Sequence, residues 1–179
     1  MKIIKKLLLV SGFLAAGAAS QLAVAVDGYQ DLKFGMSKKQ VFAKQICSLQ
    51  EYESGYAGVD YFGCMDFTFG GKPVEAGVFF IDDSFLRFVI VPPVDDAFGL
   101  MEALSNKFGS PSSSSTQSEF EAVDTHPNRE AFLAYDQDTV FLRLMSDENY
   151  MQSIFLVYTS PLYEELLVRN QKSSIMSDL

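Results

Sequence analysis

Imidazole and thiol are scarce in this 179-residue chain, which has one histidine and two cysteines. With His126 as the single imidazole, a metal centre would have to be assembled from carboxylates, and a Ser-His-Asp arrangement would need a serine on a strained corner beside it. His126 instead sits in the turn-like run Thr125-His126-Pro127-Asn128, while serines gather in the apolar-poor tract SPSSSSTQS at 110–118. A phosphate-cradling loop is missing as well, because Gly70-Gly71 separates two strand-like runs with no helix following. The acidic pairs Asp82-Asp83, Asp95-Asp96 and Asp136-x-Asp138 lack the glycine and distal glutamate of a calcium loop. Two of the pairs fall at turns, and Asp95-Asp96 opens a helix, where orphan amides and the dipole favour carboxylates. These absences predict a non-enzymatic protein with no catalytic residues, no metal and no cofactor.

Positive charge is also short, 14 Lys and Arg against 23 Asp and Glu, a net charge of −9. Three of those lysines (Lys2, Lys5, Lys6) precede an apolar run from Leu7 to about Ala19 and a small-residue site, Ala23-Val24-Ala25. This is the three-part pattern of a secretory signal peptide over residues 1–25, cleaved before Val26. The apolar run, at about 13 residues, is short of the roughly 20 that cross a bilayer. Cysteine is absent from the cleavage region, so lipid attachment there is excluded. Loss of residues 1–25 leaves 11 basic and 23 acidic side chains, a net charge of −12. That surface disfavours nucleic acid and anionic lipid and suits a basic partner. The expected location is periplasmic or secreted, with no stable membrane insertion.

Both cysteines, Cys47 and Cys64, lie beyond the leader and would meet an oxidising compartment. Their spacing is not Cys-x-x-Cys and neither has a basic neighbour, so they read as one structural disulfide, worth roughly 3 kcal/mol by chain entropy. Cys47 ends the stretch FGMSKKQVFAKQIC. There Ser37 and Gln40 form a capping box, Met36, Val41, Phe42 and Ile46 an apolar stripe, and Gly35 the corner from a short strand at 32–34.

Strand-like runs follow at 61–69, 73–81 and 85–91, separated by hairpin-length breaks at Gly70-Gly71 and Asp82-Asp83-Ser84. After Pro92-Pro93 a helix is predicted over 94–108, with Phe98, Met101, Leu104 and Phe108 as its apolar stripe and Gly109 as its stop. Residues 110–118 read as a mobile loop, strands resume at 131–135, 139–145 and 153–158, and a short helix is predicted over 162–169 before a frayed tail at 171–179. Phe85-Leu86-Arg87-Phe88-Val89 and Phe141-Leu142-Arg143-Leu144-Met145 share a pattern, which marks 30–92 and 93–160 as candidate tandem helix-meander units within one domain, 26–170.

A helix entered through Phe34-Gly35-Met36-Ser37, a meander, a second helix ending at Phe108-Gly109-x-Pro111 and further strands resemble the small exported proteins of the beta-lactamase-inhibitor-like and SmpA/BamE-like group. The resemblance implies a two-layer α+β fold, with helices packed on one face of an antiparallel meander sheet, and protein binding as inhibition or outer-membrane assembly. The missing lipidated cysteine departs from the assembly lipoproteins.

Alternation along the strands places Val78, Phe80, Leu86, Phe88, Ile90, Val140, Leu142, Leu144, Ile154 and Leu156 on a face beneath the helices. The opposite set, Phe79, Phe85, Arg87, Phe141, Arg143, Phe155 and Val157, is unusually apolar for a solvated surface. Aromatic side chains beside arginine are the composition of protein-binding hot spots, so this second face is the candidate docking surface for a protein partner. The alternative function is carriage of a small apolar ligand between sheet and helices.

Overall fold

The structure, a computed structural model, describes residues 25–177. Apart from Ala25, the expected leader lies outside the described residues. The chain enters as a two-stranded hairpin, β1 (Gly28–Tyr29) with β2 (Leu32–Lys33). Gly35, at φ 90°, then turns it into α1 (Lys38–Phe42), a backbone angle that side-chain-bearing residues seldom adopt. The capping box forms as the sequence implies: the Gln40 amide donates to Ser37 Oγ at 3.3 Å and the Ser37 amide to Gln40 Oε1 at 2.9 Å. Gly35 N–H donates to the Phe85 carbonyl and Phe85 N–H to the Met36 carbonyl, each at 2.8 Å, so the corner is fastened to the main sheet. Beyond α1, Cys47 is bonded to Cys64.

The main sheet has eight strands: β3 (Gln50–Tyr52), β4 (Val59–Phe69), β5 (Lys72–Ile81), β6 (Ser84–Val91), β7 (Ser113–Ser114), β8 (Arg129–Tyr135), β9 (Val140–Ser146) and β10 (Gln152–Thr159). Their order is β3-β4-β5-β6-β10-β9-β8-β7, antiparallel throughout. Gly70-Gly71 and Asp82-Asp83, all at positive φ, make the two tight turns of the first meander, whose twist matches that of the flanking strands. The two Phe-Leu-Arg motifs lie on β6 and β9, with β10 between them. Three further helices complete an α+β fold: α2 (Ala97–Phe108), entered through a 3-10 turn at Val94–Asp96, α3 (Gln117–Thr125) and α4 (Leu162–Ser177). Among the described residues no helix is long and apolar enough to cross a membrane.

Several expectations need correction. The serine tract is not a structureless loop. Ser112 and Ser113 hydroxyls donate to Asp138 Oδ1 at 2.6 and 2.9 Å, and Ser113–Ser114 pairs with β8 as β7. Thr116 then caps α3 in a second capping box with Glu119. Hydroxyls satisfied by a carboxylate and a strand edge replace the apolar contacts that the composition lacks. The last helix runs on to Ser177 rather than ending at Arg169. In α2, Leu104 is buried and Leu100, Met101 and Phe108 pack against the core, but Phe98 points to solvent and is 84% exposed.

The core lies on one face of the sheet, where Val78, Phe80, Phe88, Ile90, Leu142 and Leu156 are buried together with Val41 of α1 and Leu104 of α2. Tyr29 closes this side, its ring in contact with those of Phe67, Phe88 and Tyr158. A bulge interrupts the β5–β6 register, with Phe79 opposite Arg87 but Phe80 opposite Phe85. The extra residue is Leu86, so strict alternation fails there. Phe85 turns into the core, fully buried against Phe34 and Phe80, while Leu86 joins Val59, Ile81, Tyr163 and Leu167 in a separate cluster. Phe85 is therefore not on the second face, and Leu86 is not under the first set of helices. Nor are all the helices gathered on one face, because α4 contributes Tyr163 and Leu167 to this cluster beside Phe79 and Arg87.

Two measurements probe this packing. Replacing both cysteines by serine should lower stability by about 3 kcal/mol and the melting temperature by about 6–12 °C. Phe85→Ala should cost about 3–5 kcal/mol in denaturant unfolding, whereas Phe141→Ala, at a half-exposed position, should cost clearly less. Equal costs would contradict the bulge assignment.

Candidate functional site

On the face opposite the core, the register aligns side chains in rows across the sheet. One row runs Tyr52, Tyr61, Phe79, Arg87, Thr159; the next runs Gln50, Gly63, Gly77, Val89, Val157, Phe141, Ala134. Phe155, Arg143 and Phe132 form a third. Phe79, Arg87, Phe141, Arg143 and Phe155 thus share the face on which alternation placed them, and Phe85 alone of the candidate residues leaves it. Most are half-buried rather than solvent-free.

The glycines make the surface concave. A Cβ on Gly77 would come within 2.4 Å of the Tyr61 ring and one on Gly63 within 3.0 Å of its hydroxyl, so Tyr61 lies down across both positions. Its ring stacks on Phe79 at 4.5 Å and 15°, and Tyr52 continues the ladder at 5.8 Å. The aromatic surface is thereby laid along the sheet rather than projecting from it. Burial raises the Tyr61 phenol pKa, with the Glu75 carboxylate adding to the effect, so the ring stays neutral.

Arg87 anchors the other end of that row. Its guanidinium lies 3.6 Å over the Tyr163 ring, Nη2 pairs with Glu164 Oε1 at 2.6 Å, and Nε donates to Thr159 Oγ1 at 3.1 Å. The side chain is 17% exposed, so Arg87 mainly pins α4 to the sheet. Tyr163 is buried, which raises its phenol pKa against the opposing influence of Arg87. Arg143 is freer. It lies 5.2 Å over the Phe141 ring and pairs with Glu130 at 3.0 Å, while its buried Nε has no hydrogen-bond partner.

Between α4, the loop at 53–56 and the sheet runs a groove of about 460 Å³. Phe79, Val89, Val91, Phe155 and Val157 contribute its apolar surface, Arg87 and Arg143 its cationic groups, and Glu53 and Glu75 its acidic ones. Of the candidate residues, Phe79, Arg87, Arg143 and Phe155 come together here; Phe141 stands outside, against Phe132 at 5.9 Å. Sequence reasoning missed Tyr61, Tyr163 and the paired glycines. Tyr61 and Gly63 alternate with Phe62 and Cys64, and Tyr163 and Leu167 sit four apart on a helix, so both signals were present.

The residues considered for chemistry are scattered. His126 is exposed, its Nδ1 2.9 Å from Thr125 Oγ1. Asp82 pairs with Arg169, Asp83 accepts from the Lys38 amide, and Asp138 accepts from the two serines, so these acids serve turns and element ends. Among the described residues, the grouping nearest a ligand set is Cys47, Cys64 and Asp66, whose two sulfurs are bonded to each other.

Comparison with known proteins adds kinship to this geometry. A protein of Haemophilus influenzae described as "Uncharacterized protein" is 35% identical over 176 residues, covering 97% of this chain and 99% of the relative. No solved structure matches. The comparisons do not place the chain in the beta-lactamase-inhibitor-like or SmpA/BamE-like group that residues 34–37 and 108–111 resemble. A family described as "Uncharacterised protein" matches residues 29–178, and the chain belongs to that family.

Proposed function

We propose that the chain is an exported, non-enzymatic protein that binds another protein through the second face of its sheet. The observation that carries this reading is the groove over β5, β6 and β10. There Phe79, Val89, Val91 and Phe155 remain half-exposed next to Arg143, whose Nε has no partner. A surface of aromatic and aliphatic side chains around an arginine is what a docking partner desolvates with most gain. Glu53 and Glu75 at its rim, and a net charge of −12 after loss of the leader, favour a partner with basic residues bordering an apolar segment. The leader-like residues 1–25 and the disulfide support a periplasmic or secreted location. The matching arrangement of three strands on each side of the β6–β10 pair supports descent from two tandem helix-meander units. The protein-binding role of the group that the chain resembles points the same way.

A second reading, carriage of a small apolar ligand, draws on the groove volume, which falls within the usual range for ligand pockets. Both readings are tested by placing a photo-crosslinking side chain at Val91 or Met145 in the groove, or at Met65 or Phe98 away from it. A discrete protein adduct should form in the native host at the first two positions and not at the others. Phe155→Asp should weaken that adduct at least about tenfold while the melting curve shows a folded protein. Adducts formed equally at all four positions would reject the docking face. No adduct, together with a small apolar molecule extracted from the purified protein, would favour the carrier.

A further inference from the structure

The backbone nitrogen of Val26 donates to Asp136 Oδ2 at 2.5 Å, across 110 residues of sequence, in a half-buried position. We infer that cleavage before Val26 converts this contact into an ion pair between the new N-terminal ammonium and Asp136, so that removal of the leader completes the fold. This rests on the proposed export of the chain.

The two partners are placed for it. Asp136 opens the β8–β9 turn at φ 54°, and the buried Thr139 hydroxyl donates to its carbonyl at 2.6 Å and lies 3.2 Å from Oδ2, which holds the carboxylate in position. Val26 packs against the main core, three residues before Tyr29. Lys107 lines the same cleft as Val26, and Asp138, the other acid of the turn, is engaged by Ser112 and Ser113. The carboxylate aimed at the Val26 nitrogen is therefore that of Asp136.

In the uncleaved chain this nitrogen is a neutral amide with a single hydrogen. Hydrolysis by a leader peptidase breaks the bond between the Ala25 carbonyl carbon and the Val26 nitrogen. The water oxygen goes to Ala25, which departs as a carboxylate with the leader, and both water protons go to the nitrogen, leaving an ammonium. The amide contact of the precursor already has an ionised acceptor in the Asp136 carboxylate, and the ammonium adds the second, opposite charge, so that direct Coulomb attraction joins the hydrogen bond. The product thus gains a tie between the start of the chain and the β8–β9 turn that the precursor has only as an amide contact. Cleavage one residue earlier or later would put the charge elsewhere.

The test uses two chains, one released from a fusion so that it begins at Val26 and one retaining Ala-Gly ahead of it, each with and without Asp136→Asn. The chain beginning at Val26 should melt about 2–4 °C higher than the extended one, and Asp136→Asn should abolish that difference. A difference that persists without Asp136, or none at the outset, would overturn the pairing. Should Asp136→Asn fail to fold, the Val26 α-amino pKa measured by NMR decides: elevation above the ordinary 7.7–8.0 supports the pair, and an ordinary value refutes it. N-terminal sequencing of the protein from its host judges the processing step separately. Val26 at the N-terminus supports the inference, a cut at another site overturns it by placing the ammonium elsewhere, and a retained leader sinks its export premise, whatever the two chains show.

Discussion

The antiparallel pairing of β6 with β10 is the constraint on which the rest of this molecule depends. Each half of the chain folds into its own run of antiparallel strands, and those runs meet only where Arg87 to Ile90 lie against Leu156 to Thr159. Strands paired across some 70 residues must close a long loop before they gain any contact, so this junction costs more chain entropy than either hairpin series. Once formed, it makes a single face on each side of the sheet, a packed core on one and a concave surface on the other. A Ser160 amide donating to the Leu86 carbonyl at 2.7 Å extends the junction to the point where α4 departs.

The second face depends on that junction twice over. Its groove combines β5 and β6 of the first half with β9 and β10 of the second, and α4 reaches it only because β10 ends beside the bulge in β6. The bulge places Leu86 and Arg87 on the side of Tyr163, giving the helix an apolar seat and a cationic clamp. The seat has a consequence for function. Because α4 covers Ile81, Leu86 and part of Phe79, the apolar surface left beyond it is a bounded groove rather than an open sheet. An apolar face of full sheet width would be an aggregation hazard, whereas a groove flanked by a helix and acidic residues limits what can enter.

Much of the fold was legible in the residues themselves. Ser37 with Gln40, Gly35, Gly109 and the paired turn residues each act within a few positions, so their meaning travels with the local sequence. The capping box at Thr116 and Glu119 was equally local, but the serines before it concealed the helix. Composition was a poor guide there because hydroxyl groups satisfied by Asp138 do the fastening that apolar side chains usually do.

What the sequence by itself determined is therefore the α+β class, the position of seven of the ten strands, the disulfide and the acidic surface, all of which follow from short-range patterns or from simple counts. Tertiary structure alone decided which side chains face the groove. A single extra residue at Leu86 reverses the alternation for Phe85, and only the register between β5 and β6 reveals it. The junction of the two halves, the crossing of α4 to the second face, the flat Tyr61 over Gly63 and Gly77, and the meeting of Val26 with Asp136 are likewise products of long-range pairing. A strand pattern states which residues alternate, but it carries no record of the neighbour that each strand will find.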